Sequence, residues 1–421
     1  MRATIAVLSG NHLCHNPRVI KEASALVGAG YDVHIYGAWF DASLKARDEA
    51  LLAGMTATFT PVIDLTLLRP ETRGQQLFLR GRGKAAGILG RWVGVENRFQ
   101  LGLVLGALSK AARKVDASLF VAHSEPALFV ARALLRSGKR VGVDMEDWFS
   151  EDLLPEARRY RPIALLRDLE RNMLRQGAHA TCPSQAMSEA LAHEHGCRPP
   201  TVIYNAFPWS DRIGLDGELK DRRNRQVPSV HWYSQTLGEG RGLEDLFDAL
   251  PQVTHEAEIH LRGNPVAGFD DWMSSRIPER WRDRVFVHGL VPNHELLLRI
   301  AEHDIGFAGE MKYSRSRDLT VSNKMLQYLL AGLAVVASDT SGQREVASRA
   351  RDAVVLYPSG DAGALAAQLN ALLESRDTLQ RAKAAALRAA EDTFCWERQE
   401  DRLLEAIASA LEAPARKAET R

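Results

Sequence analysis

Residues 322–339, SNKMLQYLLAGLAVVASD, admit few folds. Met325, Leu326, Leu329 and Leu330 recur on one face at helical spacing. Ser322 or Asn323 can cap that helix, and Gly332 suits the left-handed residue after it. Residues 333–337 are then wholly apolar, the pattern of a parallel strand buried on both faces. A helix start with free amides and Lys324 beside it is a ready anion site, so a phosphate-bearing ligand is the sharper reading. An ordinary helix–strand unit with a solvated lysine has the same pattern.

The rest of the chain repeats this alternation. Residues 3–8 form an apolar strand ending at Ser9-Gly10, and a helix begins at about Pro17, with Val19, Ala23, Leu26 and Val27 facing inward. Further strands are expected at 31–36, 119–122, 141–143, 178–183 and 201–204. The polar, Asp- and Arg-rich segment 209–228 reads as a linker between a domain 1–208 and a domain 229–392. Beyond it, strands are expected at 230–233, 259–262, 285–288, 304–308, 333–337 and 353–357. An alanine-rich helical region follows. Residues 393–413 form a C-terminal helix that can pack back on the first domain, and 414–421 a polar tail.

With 421 residues the chain exceeds one ordinary core, and two doubly wound sheets account for it. A net charge of +1 argues against general nucleic-acid binding. Cys14, Cys182, Cys197 and Cys395 are scattered without a CxxC pair, which suggests neither zinc nor a disulfide framework and fits a reducing cytoplasm. The N-terminal apolar run is too short for a signal peptide, and no run approaches the ~20 residues of a membrane span.

Residues 69–98 differ in character. Arg69, Arg73, Arg80, Arg82, Lys84, Arg91 and Arg98 interleave with Leu77, Phe78, Leu79, Ile88, Leu89, Trp92 and Val93, with glycines interrupting. Such a segment suits peripheral contact with an anionic membrane surface, or a solvated helix or loop covering the first domain.

Chemistry is expected where strands end. The strand at 119–122 runs into His123-Ser124-Glu125-Pro126, and that at 141–143 into Asp144-Met145-Glu146-Asp147-Trp148. In open parallel sheets these positions face the ligand crevice. The loop after the first strand lacks both GxGxxG and GxxxxGK[ST]. In the second half, Gly238, Gly240 and Gly242 surround Arg241 before a helix near Leu243. This is either a phosphate-approaching loop or a surface turn.

Taken together, His123 to Pro126, VDMEDWFSED at 143–152, residues 201–205, GEGRGLEDLFDAL, VFVHGLVPNHELL at 285–297 and SNKMLQYLLAGLAVVASD resemble the retaining, family-4-like glycosyltransferases. The resemblance covers most of the chain, and the order and spacing of the motifs carry it. It implies a GT-B fold: α/β, two facing Rossmann-like parallel-sheet domains with an interdomain cleft. The first domain would hold the acceptor and the second a nucleotide-diphosphate sugar.

The implied catalytic residues are His123, near the transferred sugar, with Arg241 and Lys324 on the diphosphate. Gly10, Gln235, Gly240, Arg262, Gly289, Leu290, Ser322, Asn323 and Gln327 would bind the donor. Asn16, Arg18, Glu125, Glu146 and Asp147 would bind the acceptor, a glycan, lipid-linked or small molecule. No metal or other cofactor is implied, and the place of action would be the cytoplasm or the inner membrane face, in glycan or glycoconjugate synthesis. Four positions depart from the family pattern, one being Glu146, where the family often has His. Gln235 stands where a basic residue is usual, and Leu319 and Gln327 stand where the paired glutamates are usual. A sugar-nucleotide epimerase of the same fold and a binding subunit without turnover are the rival readings.

Overall fold

A computed structural model describes residues 2–66, 70–222 and 225–413. Arg69, part of the linker and the 414–421 tail lie outside the described residues. The chain divides into two compact units. One comprises the described residues of Met1–Pro183, Met187–Ile203 and Glu400–Arg421; the other comprises Ser184–Ala186 and Tyr204–Gln399.

The first unit is built on a seven-stranded sheet ordered β3-β2-β1-β4-β5-β6-β7. Its strands are β1 (Thr4–Leu8), β2 (Asp32–Trp39), β3 (Thr58–Asp64), β4 (Leu119–Ala122), β5 (Val141–Asp144), β6 (His179–Cys182) and β7 (Thr201–Val202). All pairings are parallel. Ile5 to Leu8 and Leu119 to Ala122 are fully buried, as befits central strands covered on both faces. Strand β3 was not expected. Its sequence, TFTPVID, carries Pro61, which is tolerated because β3 is the edge strand.

The second unit has six strands ordered β10-β9-β8-β11-β12-β13, again all parallel. They are β8 (Ser229–Leu237), β9 (Glu258–Pro265), β10 (Val285–His288), β11 (Ile305–Ala308), β12 (Ala334–Ser338) and β13 (Val354–Tyr357). Trp232, Phe247 and Phe307 are fully buried in one core cluster with Val230, Ile259 and Val336. Truncating one such aromatic to alanine costs about 3–5 kcal/mol. Helix Asn323–Ala331 ends at Gly332 in the left-handed conformation, φ 79°.

The basic segment is one helix, Pro70–Val93, where glycine interruptions were expected. Two of its glycines lie close to residues 99–103. A Cβ at Gly83 would make an ordinary contact with Leu103 at 3.7 Å, whereas one at Gly90 would collide with the Gln100 side chain. At Gly90 close packing thus offsets the poor helix propensity of glycine. Helix Trp396–Glu412 starts in the second unit and finishes in the first, where Arg140 donates through Nη2 to the Ala413 carbonyl at 2.7 Å. No described helix is long and apolar enough to cross a membrane, and all four cysteines are free thiols.

Candidate active site

In the first unit β1, β4 and β5 are neighbours, so the residues at their carboxyl ends are brought together. His123 follows β4 and is fully buried. Its Nε2 lies 2.6 Å from Glu22 Oε2, and its Nδ1 lies 3.9 Å from Asp144 Oδ2. Burial pulls the imidazole pKa down, but the Glu22 carboxylate, with Asp144 and Glu146, holds it up at about 9. Burial also opposes the charge on Asp144, yet Arg18 and His123 keep it below the usual carboxylate range. Glu146 is different. Burial raises it to about 7, with Asp144 adding to the rise, although Asn16 Nδ2 donates to it at 2.8 Å. Near neutrality the site holds a charged imidazole beside a carboxyl that can take up or release a proton.

Several first-unit candidates are tied into the frame. Arg18 is 4% exposed; its Nε donates to Asp144 at 2.5 Å and its Nη1 to the Ile203 carbonyl at 2.7 Å. Asn16 caps helix Pro17–Gly28 by accepting from the Val19 amide at 3.1 Å. The Gly10 amide donates to the Tyr36 carbonyl at 2.9 Å. Glu125 pairs with Arg161. Asp147 is half-buried beside Glu146.

Among the described residues, two groups bring possible metal ligands within 4.8 Å of one another: Glu22, His123 and Asp144, and His12, Cys14 and Asp48. In the first, Arg18 already sets a fixed cation on Asp144. In the second, His12 Nε2 accepts from the amides of Phe40 and Asp41, while Asp48 binds His12, Trp39 and the Cys14 amide. Those lone pairs fix the loop that leads from β1 into the first helix.

In the second unit the centre is Glu310, just beyond β11. Lys324 Nζ donates to its Oε1 at 2.8 Å and Ser322 Oγ at 2.9 Å. Burial would raise this carboxyl, but Lys324 and Ser322 keep it below the usual range. Ser322 occupies the N-cap position of helix Asn323–Ala331, yet its hydroxyl serves Glu310 and caps no amide. The first-turn amides therefore have no side-chain cap. Asn323 is exposed and accepts from Asn205 Nδ2 at 3.1 Å. Gln327 accepts from the Tyr233 hydroxyl at 2.5 Å.

The glycine loop reaches the same place. Gly242 has φ 82°, and a Cβ there would collide with the Gly309 carbonyl, next to Glu310. Arg241 is exposed, and among the described residues it has no hydrogen bond or ion pair. Gln235 is exposed, and the Gly240 amide donates to Glu244 at 2.5 Å. The helix that follows, Leu243–Ala249, has only seven residues and carries Glu244 and Asp245 in its first turn, so its positive end is largely offset.

Arg262 is 3% exposed. It donates to the Gly289 carbonyl at 2.5 Å and pairs with Asp221, anchoring the loop whose Gly289 and Leu290 face solvent. Behind that loop lies a stack of four histidines. The ring centroids of His231 and His303 are 4.6 Å apart, those of His303 and His260 4.6 Å, and those of His260 and His288 5.2 Å. Burial lowers the pKa of each, to about 4 for His303 and about 2 for His260.

Residues 18–208 match the family model for Glycosyltransferase Family 4, and residues 230–375 match that for Glycosyl transferases group 1. The chain belongs to the family-4-like glycosyltransferases of the GT-B fold. Solved structures agree on the fold of this transferase. Anabaena HepE (Alr3699) in complex with UDP is 17% identical, with 97% of this chain and 100% of that chain covered and a TM-score of 0.67. Sucrose-phosphate synthase from Thermosynechococcus elongatus is 15% identical over 97% of this chain and 98% of that one, TM-score 0.69. An E. coli trehalose-6-phosphate protein bound with UDP-2-fluoro glucose is 12% identical over 98% and 100%, TM-score 0.66. No curated protein matches the transferase in sequence.

Two acids escaped sequence reasoning. Glu22 lies on the inward face of its helix between Val19 and Leu26, and an acid in an apolar stripe was the available signal. Glu310 lies two residues past the end of a central strand, close to the kind of position that singled out His123. Lys312, which pairs with Asp339 at 2.9 Å, adds a further cation on the loop after Glu310.

Proposed function

We propose that the transferase moves a sugar from a nucleotide-diphosphate donor to an acceptor hydroxyl, with retention of configuration and without a metal ion. The second unit binds the donor and the first the acceptor. The observation that carries this reading is the grouping of Lys324, Ser322 and an uncapped helix start around Glu310. A diphosphate is a stronger multi-point acceptor than one carboxylate, so it competes with Glu310 for Lys324 and takes up the free amides.

In the transfer, the bond from the anomeric carbon to the β-phosphate oxygen breaks, and its electron pair stays on the leaving oxygen. The acceptor oxygen bonds to the anomeric carbon from the same face, and the acceptor proton passes to the departing phosphate. Lys324, Arg241 and the amides stabilise the charge that builds there. Gln327 offers its amide to the donor, and Gly289 with Leu290 borders the base. The charged His123 orients the sugar or the acceptor by donating a hydrogen bond. Asn16, Glu146 and Asp147 supply the acceptor side.

Because HepE and the E. coli protein were crystallised with uridine nucleotides, UDP sugars are the first donors to test. Thermal shifts across UDP-, GDP-, dTDP- and ADP-sugars identify the donor, since a ligand bound only by the native state raises the melting temperature. With the preferred donor and an acceptor set, nuclear magnetic resonance of the product should show the donor's anomeric configuration. An inverted product sinks the retaining mechanism. Donor consumption without any acceptor points to epimerisation instead, and donor binding without turnover to a binding subunit.

A further inference from the structure

Helix Pro70–Val93 turns its apolar side outward. Leu77 is 72% exposed, Phe78 65%, Ile88 47%, Leu89 52% and Trp92 76%. At 100° per residue these five fall within one third of the helix circumference, with the small residues Gly81 and Ala85 between them. The opposite side is the one that packs: Ala86 is buried, and Gly83 and Gly90 lie against residues 99–103. This reverses the usual arrangement, in which a surface helix buries its large apolar residues and shows its polar ones.

Charge borders the stripe. Arg73, Arg80, Lys84 and Arg91 run along one flank and Arg82 lies on the other, against a single acid in the helix, Glu71. The patch continues past the helix end through Val95, 52% exposed, and Tyr160, 43% exposed and bonded to Arg91. Exposed large apolar residues in one row mark an interaction surface. A row of cations beside them selects a partner that is both apolar and negatively charged. An indole and a phenol at the edge suit a boundary between hydrocarbon and water.

We infer that this helix is the docking surface for an anionic lipid bilayer. It lies in the plane of the surface, with Leu77, Phe78, Ile88, Leu89 and Trp92 in the acyl boundary and the cations at the headgroups. The inference does not depend on the transfer reaction, because vesicle binding is measured without donor or acceptor.

The test is co-sedimentation of the full chain with two kinds of vesicle, phosphatidylcholine alone and a mixture containing phosphatidylglycerol. The protein should pellet with the anionic vesicles and stay in solution with the neutral ones. Binding should weaken from 0.05 to 0.5 M salt as the surface charge is screened, the Debye length falling from about 14 to about 4 Å. A double variant, Arg80→Gln with Lys84→Gln, should bind roughly thirtyfold more weakly, at the usual contribution of a basic residue near such a surface. Leu77→Ser with Trp92→Ser should abolish binding while leaving the melting temperature of these exposed positions unchanged. The wild-type tryptophan emission should shift to the blue on anionic vesicles, and this shift should be absent from Trp92→Phe. Failure to pellet with anionic vesicles at low salt overturns the inference, as does equal binding by the Arg80/Lys84 variant. A dimer in light scattering that Leu77→Ser with Trp92→Ser dissolves, without vesicle binding, assigns the face to a second copy of the chain.

Discussion

Lys324 directs its ammonium group at Glu310, 2.8 Å away. The cation expected at the phosphate site is therefore already matched by a carboxylate of the same unit, and Ser322 is held by that carboxylate too. This pairing holds Lys324 in place, and on the proposed reading Glu310 is the group that a diphosphate would displace.

Lys324→Ala should lower kcat/KM by roughly 10- to 150-fold, the loss of one charge-assisted contact. The same change leaves Glu310 without its closest cation, so the melting temperature should fall as well. Adding Glu310→Gln to Lys324→Ala should restore the melting temperature but not the turnover. Steady-state kinetics and calorimetry on the three proteins check this, and unchanged turnover in Lys324→Ala would remove the lysine from the reaction.

Arg241 behaves differently because it is exposed and, among the described residues, has no ion-pair partner. Arg241→Ala should leave stability within about 0.5 kcal/mol of the parent. Donor affinity should still fall about tenfold or more, with a weaker dependence on salt than in the parent. Titration calorimetry at two salt concentrations separates this outcome from a residue that merely decorates a turn.

The loop that carries Arg241 depends on Gly242. With φ 82° and no room for a Cβ beside Gly309, Gly242→Ala should destabilise the second unit by about 1–3 kcal/mol. It should also raise the donor KM. Normal donor binding in this variant would mean that the loop tolerates displacement.

The His123–Glu22 pair and the histidine stack should answer pH with opposite signs. His123 is raised from 6.5 to about 9 by Glu22 against its burial, so its stabilising effect is complete below pH 6.5 and fades as pH climbs to 9. Glu146, raised by burial from 4.5 to about 7, acts in the same direction across that lower window. In the second unit, burial lowers His303 to about 4 and His260 to about 2. The unfolded chain binds these protons more readily, so stability there is complete above pH 6.5 and falls with acid. The groups facing that stack are Asp221, Glu258, Glu302, Arg222 and Arg262. Burial opposes the charge on Asp221, but His303 and Arg262 hold its carboxyl well below the usual range, so it keeps its charge throughout this window. Hydrogen exchange at pH 5 and 7, corrected for intrinsic rates, should show the strands β8–β11 loosening at pH 5 and β4–β5 tightening. Glu22→Gln should remove most of the alkaline loss in the first unit.

Much of this architecture is legible in the sequence. Central strands such as β4 and β12 are short apolar runs bounded by polar or glycine residues, and local pattern suffices to find them. Strand β3 was not readable, because Pro61 disqualifies a strand unless its edge position is known. The glycines of helix Pro70–Val93 argued for breaks, since the neighbour that rewards them, the segment at 99–103, follows only after the helix has ended. The site divides the same way. His123 and Lys324 announce themselves by position, at a strand end and a helix start. The buried bonds of Arg18 and the roles of Glu22 and Glu310 depend on partners from other elements, such as Asp144, 126 residues from Arg18.

The last helix has a practical consequence for anyone dissecting the molecule. Because Leu403, Ile407 and Ala410 are buried and residues from Glu400 belong with the first unit, a gene cut near residue 204 would encode that unit stripped of its own closing segment. A workable isolated half would have to splice 400–413 onto the end of 1–203 through a short artificial loop.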